Sequence, residues 1–231
     1  MRIHAIVCTR SRDDISETTD ALLTFLSRCS ANILLVSGAK SLFSAYQKAY
    51  NAANPDPEDI IIFCHDDILI RENPEVFIDK LKTSLAEAST GFVGAAGTMC
   101  LGKNAVWWDL DQWKGRMHRG RVFHLHPETN AEYETFYGAP GDVAVLDGLF
   151  LAAKPKVIED VGLQKPEYFS GEWDFYDLHY TSQAFLKGYT NKVIPLKILH
   201  NSRGELVGRD GWEANREAFI ANNPLPLQIH E

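Results

Sequence analysis

The chain has 231 residues, of which 45% are hydrophobic and 23% charged, a composition that can fill the core of one large α/β domain. Its formal net charge of -8 argues against a nucleic-acid-binding protein, which needs a broad basic surface. No CxxC spacing occurs, so the cysteines indicate small buried side chains rather than a zinc ribbon or a redox motif. The cysteines are Cys8, Cys29, Cys64 and Cys100.

The N-terminal apolar stretch is too short for a signal peptide, and His4 interrupts it. No apolar run approaches the roughly 20 residues that a membrane-spanning helix requires. We therefore expect a cytoplasmic protein without a transmembrane segment. Its oligomeric state is left open.

The first half of the chain alternates predicted strands and helices. Residues 60–64 are apolar without alternation, as in a central parallel strand that is covered on both faces. Leu22, Leu23 and Leu26 have the spacing of one helix face. The alternating order predicts an α/β fold with a doubly wound, mostly parallel sheet. Strands are predicted at residues 3–8, 32–36, 60–64 and 92–96, and helices at residues 13–28, 41–53 and 74–88.

The second half is less regular. Residues 97–142 predict loops and short antiparallel strands, with a basic cluster for which a solvated loop is the simpler interpretation and a site for an acceptor phosphate the alternative. No repeat or linker divides the chain, so a single domain over residues 1–231 is predicted. The basic cluster contains Arg116, His118, Arg119 and Arg121; strands are predicted at 143–153 and 192–199, and helices at 155–161, 173–187 and 212–221.

Two carboxylates directly follow the third predicted strand, in the sequence His65-Asp66-Asp67. In open α/β sheets, ligands bind beyond the carboxyl ends of the strands. Adjacent carboxylates repel each other unless a cation or a proton compensates. A hard divalent cation binds oxygen ligands and can bridge a carboxylate to a diphosphate. The alternative is that one aspartate caps a turn and the other faces water.

His200 closes a second apolar strand. A histidine at a strand end is often a surface residue, but one that reaches the same crevice as the acidic strand end would supply a further ligand. Imidazole suits Mn²⁺ better than Mg²⁺.

Four segments, taken together, resemble bacterial glycosyltransferase-like proteins of the GT-A fold, close to the large inverting family 2. The likeness is to the subgroup with His-x-Asp where most members have Asp-x-Asp. It implies a three-layer α/β/α sandwich with a nucleotide-binding half at 1–98 and an acceptor-side half at 99–231. The segments are 61–68, 93–98 with the following Trp107-Trp108 pair, 146–154, and 173–177 with the chain that leads to Leu199-His200.

The resemblance implies metal-dependent, inverting transfer of a hexose from a nucleotide-diphosphate sugar, a UDP-sugar above all, to a glycan or lipid-linked acceptor in surface polysaccharide or glycoconjugate synthesis. Asp67 and His200 would bind Mn²⁺ or Mg²⁺, and Asp177 would be the general base, although an acid at a helix start also has a purely structural use. The residues implied at the nucleotide are Cys8, Thr9, Arg10, Ser37, His65 and Asp66. Those expected on the acceptor side are Trp107, Trp108, Asp147, Gly148, Trp173 and Tyr176. The alternative for the three tryptophans is that they pack in the core.

Some positions depart from the family pattern. Tyr176 replaces the glutamate of a Glu-Asp pair, Ser37 stands where an acid commonly reads the base, and His179 replaces a frequent aspartate. Because of these departures, the sequence does not determine which nucleotide is bound. They also keep a non-catalytic nucleotide-sugar or glycan-binding module as an alternative. A sugar nucleotidyltransferase is a further alternative, disfavoured because the loop after the first strand lacks glycine. A helical His-Asp phosphohydrolase is disfavoured because His65-Asp66 closes a strand.

Overall fold

The computed structural model describes residues 1–9, 15–109, 111, 114–126, 128–202 and 210–229. Apart from a short fourth strand that directly follows the third, strands and helices alternate as far as the fifth strand, and the remainder is richer in strands. The elements are β1 (Ile3–Thr9), α1 (Glu17–Arg28), β2 (Asn32–Ser37), α2 (Leu42–Ala53), β3 (Ile60–His65), β4 (Ile68–Ile70), α3 (Pro74–Ser84), β5 (Thr90–Gly94), β6 (Ala96–Thr98), β7 (Cys100–Leu101), β8 (His118–Leu125), β9 (Glu132–Gly138), β10 (Gly141–Val143), β11 (Val145–Leu146), β12 (Phe150–Ala153), α4 (Pro155–Val161), α5 (Tyr176–Leu186), β13 (Thr190–Val193), β14 (Ile198–His200), α6 (Asp210–Asn222) and β15 (Leu227–Gln228).

The larger sheet has seven strands in the order β10-β13-β5-β12-β3-β1-β2. Strand β1 pairs in parallel with β2 and β3, and β13 pairs in parallel with β5. Strands β12 and β10 run antiparallel to their neighbours. Five of the seven strands therefore run in one direction, which confirms the predicted mostly parallel sheet, with β12 inserted antiparallel between β5 and β3 and β10 antiparallel at one edge.

Helices cover both faces of this sheet. On one face, Phe25 of α1 meets Phe77 of α3 edge to face, with ring centroids 5.3 Å apart. On the other face, Phe43 of α2 meets Tyr180 of α5 at 5.8 Å. The middle of the sheet between them is largely apolar, and residues Ile60 to Cys64 of β3 are fully buried. These layers form the expected α/β/α sandwich, because a sheet with two apolar faces must be covered on both.

A second sheet has the order β11-β6-β8-β14-β4, and β9 extends it from β8. In this sheet β14 runs antiparallel to β4 and parallel to β8, so that His200 is paired with Ile68 on one side and with His124 on the other. The backbone N–H of Asn201 donates to the carbonyl of Asp67 at 2.8 Å. This ladder brings the end of β14 to the turn that follows β3.

Three predicted strands are wrong in their extent. Residues 143–153 form the end of β10, then β11 and β12, because a turn at Asp147-Gly148 separates β11 from β12. Residues 192–199 divide between β13 and β14 in different sheets, with Pro195, which has no N–H to donate, between them. Residues 92–96 likewise divide between β5 and β6. In each case one apolar run crosses from one sheet to the other. An apolar run indicates that a segment is buried, but it does not indicate to which sheet the segment belongs.

Other boundaries also differ from the prediction. Helix α5 begins at Tyr176 rather than at residue 173, because Phe175 has φ 68° and cannot continue a right-handed helix backwards. Helix α3 ends at Ser84 rather than at residue 88. Part of the basic cluster lies in β8 and not in a loop, and there His118 is fully buried. Within the described residues, no helix is long and apolar enough to cross a membrane.

Candidate functional site

A cleft of about 610 Å³ opens beyond the carboxyl ends of β1 and β3. Residues from the first strands, the Asp147-Gly148 turn, the start of α5, the end of β14 and the start of α6 all contribute to its walls. The described residues that line it are Cys8, Thr9, Gly38, Ala39, Leu42, Tyr46, Cys64, His65, Asp66, Asp67, Ala105, Trp107, Trp108, Asp147, Gly148, Trp173, Asp174, Phe175, Tyr176, Asp177, Leu178, His200 and Trp212.

Strand register positions one wall of the cleft. Cys8 of β1 is paired with His65 of β3, and Thr9 with Ser37 of β2. Burial, followed by the charge of Asp66, raises the pKa of the Cys8 thiol to about 12, so Cys8 presents a neutral thiol. Ser37, which was also predicted at the nucleotide, is the last residue of β2 and does not line the cleft. The next residue, Gly38, lines it. Arg10 lies outside the described residues.

His65, Asp67 and His200 bring their ligand atoms within 4.8 Å of one another. Asp67 Oδ1 lies 3.7 Å from His65 Nδ1 and 3.3 Å from His200 Nε2. This oxygen is buried and makes no hydrogen bond to any described residue. A buried acceptor without a donor costs free energy unless another group compensates. Two imidazole nitrogens and a carboxylate oxygen are ligands that suit Mn²⁺, so the cluster fits a divalent cation.

The charges of the cluster also fit a cation site. Burial alone would raise the pKa of Asp67, but the close approach of His200 and the charge of His65 hold it below its ordinary value. Burial lowers the pKa of His65. Burial would lower the pKa of His200 as well, yet Asp67 raises it overall. At neutral pH the carboxylate is therefore ionised and His65 is neutral, the forms in which both ligate metals, whereas His200 must give up its proton when it binds a cation.

Tyr176 lies beneath His65 instead of facing open solvent. Its side chain is 5% exposed, its hydroxyl is 2.7 Å from His65 Nε2, and the same hydroxyl donates to the carbonyl of Gly148 at 3.0 Å. The sequence predicted this residue on the acceptor side. The structure places it at the bottom of the cleft, in contact with the histidine of the cation cluster.

Asp177 is the second residue of α5, and its Oδ2 accepts the Gly148 N–H at 3.0 Å. Burial first, and then the charge of nearby Asp147, raises the pKa of Asp177 to about 7. Asp147 is itself held in a turn, because its Oδ1 accepts the N–H of Leu149 at 2.8 Å. A carboxyl whose pKa is near neutrality can both accept and release a proton at physiological pH.

Aromatic side chains form the opposite wall. Trp107 is 2% exposed and packs edge to face on Trp108, with centroids 5.8 Å apart. Trp108 in turn lies 6.1 Å from Trp212 of α6. Trp173 is 46% exposed at the cleft. Of the predicted stacking residues, Trp107 is therefore mainly a packing residue, whereas Trp108 and Trp173 have surface to offer a ligand.

Sequence reasoning missed several residues at or beside the cleft. Trp212 lies in the predicted helix at 212–221 and Tyr46 in the one at 41–53, and nothing in the local sequence shows that either side chain reaches the cleft. His124 lies beside His200, with ring centroids 6.1 Å apart, because β8 and β14 are neighbours. His179, which stands where the family often has an acid, packs against Phe169 at 6.0 Å rather than lining the cleft.

Comparisons with known proteins agree with this architecture. A family model described as a glycosyltransferase-like family matches residues 5–221. No curated protein matches the chain. The structure of GalNAc-T7 with UDP, GalNAc and Mn²⁺ is similar at a TM-score of 0.54 and 11% identity, over 96% of this chain and 45% of that one. The structure of S. aureus TarS 1-349 is similar at a TM-score of 0.50 and 12% identity, over 96% and 70%. This chain thus spans less than half the length of GalNAc-T7, and at these identities the likeness concerns the fold.

Proposed function

The chain belongs to the glycosyltransferase-like family, and we propose that it transfers a hexose from a nucleotide-diphosphate sugar to an acceptor hydroxyl with inversion at the anomeric carbon. One observation carries this proposal. The cluster of His65, Asp67 and His200 lines the same cleft as Asp177, a carboxyl with a pKa of about 7. Direct displacement needs such a pair of sites, one for the departing diphosphate and one for the attacking hydroxyl.

The first site would hold a divalent cation through Asp67, His200 and His65. When bound, the cation stabilises negative charge on the diphosphate, an effect worth several kcal/mol in metal enzymes. Mn²⁺ is proposed over Mg²⁺ because two of the three ligands are imidazoles. The low pKa of Asp67 keeps this carboxylate ionised across the physiological range, so the site retains a charged oxygen ligand.

The second site centres on Asp177, which would accept the proton of the acceptor hydroxyl. The Gly148 N–H orients the carboxylate at 3.0 Å, and the first turn of α5 favours its ionised form. A positioned base of this kind contributes about 10²–10⁴-fold to a rate. Because the hydroxyl attacks on the face opposite the leaving diphosphate, one displacement inverts the anomeric centre.

The two ends of the cleft would divide the substrates between them. Cys8, Thr9 and Asp66 lie at the strand ends near the cation cluster, where we propose that the nucleotide binds, with a UDP-sugar as the donor. GalNAc-T7 binds UDP and Mn²⁺ on a similar fold. The aromatic wall with Trp108 and Trp173 would stack on the rings of a glycan acceptor, free or lipid-linked, since aromatic faces suit the apolar faces of sugars. The halves 1–98 and 99–231 are proposed to carry these two roles.

Hydrolysis of UDP-sugars with Mn²⁺ tests the proposal, since water can replace the acceptor. The Asp177→Asn variant should lose about 10²-fold or more of this rate, whereas Asp79→Asn, at an exposed carboxyl of α3, should keep it. Equal rates for wild type and Asp177→Asn would remove Asp177 from the mechanism.

Thermal shift separates binding from turnover. UDP with Mn²⁺ should raise the melting temperature of the wild type, and Asp67→Asn should abolish the Mn²⁺-dependent part, because a ligand that binds the native state stabilises it. Binding of UDP-sugar and Mn²⁺ without any turnover would support the non-catalytic module instead.

A further inference from the structure

The hydroxyl of Tyr176 has a single proton to donate, and its polar neighbours include a carbonyl oxygen and a ring nitrogen. It lies 3.0 Å from the carbonyl oxygen of Gly148 and 2.7 Å from Nε2 of His65. A carbonyl oxygen can only accept a hydrogen bond, so the hydroxyl proton points to Gly148. The contact with His65 must then run the other way, with Nε2–H as the donor and the hydroxyl oxygen as the acceptor.

This direction determines the tautomer of His65. A neutral imidazole carries one N–H, and here it is placed on Nε2, so Nδ1 keeps its lone pair. Nδ1 is the nitrogen that lies 3.7 Å from Asp67 Oδ1. Two acceptors that face each other at this separation repel, and a cation between them would relieve that repulsion. In metal sites, the second ring nitrogen of a ligating histidine commonly donates to a partner that orients the ring.

We infer that Tyr176 is a positioning residue that holds His65 as the Nε2–H tautomer, so that Nδ1 is available as a third ligand of the cation. The inference deepens the proposed function by giving His65 and Tyr176 roles other than direct contact with nucleotide or acceptor. The role of the cation rests on that proposed function, whereas the tautomer itself does not. Burial of Tyr176 among aromatic rings holds the hydroxyl in place, with Tyr46 at 5.7 Å and Phe43 at 6.5 Å.

The backbone of Gly148 links the cation cluster to the proposed base, through the two peptide groups that flank its Cα. The carbonyl of Gly148 accepts from Tyr176, while its N–H donates to Asp177 Oδ2. Tyr176 and Asp177 are consecutive residues in the first turn of α5. A shift of either side chain therefore displaces a group on which the other depends. We expect variants at Tyr176 to affect cation binding first and the orientation of Asp177 second.

The tautomer can be measured on the metal-free protein by NMR, from the ¹⁵N chemical shifts and the two-bond ¹⁵N–¹H couplings of the histidine rings. The His65 signal is assigned by its absence in His65→Gln. Wild type should show an Nε2–H pattern for His65, and Tyr176→Phe should shift His65 towards a mixture of tautomers. Calorimetric titration with Mn²⁺ should show affinity about 10–100-fold weaker in Tyr176→Phe, the usual cost of losing such a partner.

Tyr180→Phe is the matched control. Tyr180 is a buried tyrosine of the same helix, and its hydroxyl donates to the carbonyl of Leu163 at 3.0 Å, away from the cation cluster. This variant loses a comparable hydrogen bond and should leave both the His65 spectrum and the Mn²⁺ affinity unchanged. A general loss of packing would affect both variants, whereas loss of the positioning role affects Tyr176→Phe alone.

An Nδ1–H pattern for His65 in the wild type would overturn the inference, and that measurement needs no variant to fold. A folded Tyr176→Phe variant with wild-type Mn²⁺ affinity would overturn it equally. Failure of the proposed function gives a different result, namely the expected tautomer and Mn²⁺ affinity without any sugar transfer or hydrolysis.

Discussion

Substitution of Gly148 by alanine tests how closely the cation cluster and the proposed base are packed. A Cβ at this position would lie 2.2 Å from the hydroxyl oxygen of Tyr176, 2.6 Å from its Cζ and 2.8 Å from Cβ of Asp177. A Cβ does not approach unbonded atoms this closely, so Tyr176 and the start of α5 must move. Neither is free to do so, since Tyr176 is buried beneath His65.

The cost follows from these contacts. Overpacking a well-filled site costs about 1–3 kcal/mol. Displacement of Tyr176 also breaks its hydrogen bond to the Gly148 carbonyl, worth about 1 kcal/mol. A total of about 2–4 kcal/mol corresponds to a fall of roughly 5–15 °C in the melting temperature of a chain of this size. A shift of Asp177 by about 1 Å would cost about 10²-fold in the transfer rate.

Thermal unfolding and Mn²⁺-dependent hydrolysis of the sugar nucleotide measure the two effects separately. Gly211→Ala is the control, because its Cβ would meet nothing closer than 3.8 Å and the position lies in helix α6. The control should unfold within a few degrees of the wild type, since the added methyl group makes no close contact there. A Gly148→Ala variant with wild-type melting temperature and rate would refute the close packing from which this prediction is derived.

Further predictions concern pH, a distant ion pair and the aromatic wall. The hydrolysis rate should rise as the pH passes through about 7, because Asp177 must be ionised to act as a base; a profile that is flat from pH 5 to 9 would contradict this. Burial opposes ionisation of Asp59, yet hydrogen bonds from Arg2, Asp56 and His4 hold its pKa well below the ordinary value. The ionised Asp59 therefore stabilises the fold above about pH 4, and this contribution is lost as the pH falls further. Asp59→Asn should lower the free energy of unfolding, measured in urea, by about 2 kcal/mol at pH 7 and by less at pH 3. Trp173→Ala should raise the KM for a glycan acceptor with little effect on the melting temperature, since this side chain is 46% exposed; an unchanged KM would exclude stacking.

Local sequence predicted the elements that depend on local patterns. The alternating helices and strands of the first half follow from hydrophobic patterning, and the interior position of β3 follows from its unbroken apolar run. The family resemblance, now supported by the match over residues 5–221, implied the sandwich. Ser16, Ser41 and Asn73 cap their helices through their own side chains, which is a local effect. The strands divided between two sheets were wrong in extent, because only long-range pairing decides where an apolar run changes sheet.

The candidate site likewise has some features that the local sequence predicted and others that only strand pairing decided. The position of His65, Asp66 and Asp67 at the end of a buried strand is a property of the local sequence. That His200 reaches Asp67 depends on the pairing of β14 with β4, which brings together residues distant in the chain.

The relation of Tyr176 to His65 is decided by tertiary structure alone. Each side chain lies in a segment whose sequence predicts only its own helix or strand, and the hydrogen bond between them exists because α5 packs where β3 ends. Gly148 shows the same distinction, since its sequence context indicates a turn but not that a Cβ would strike Tyr176. Hydrophobic periodicity describes which face of an element is buried, whereas catalytic geometry depends on the distances between elements, and only the packed chain sets those.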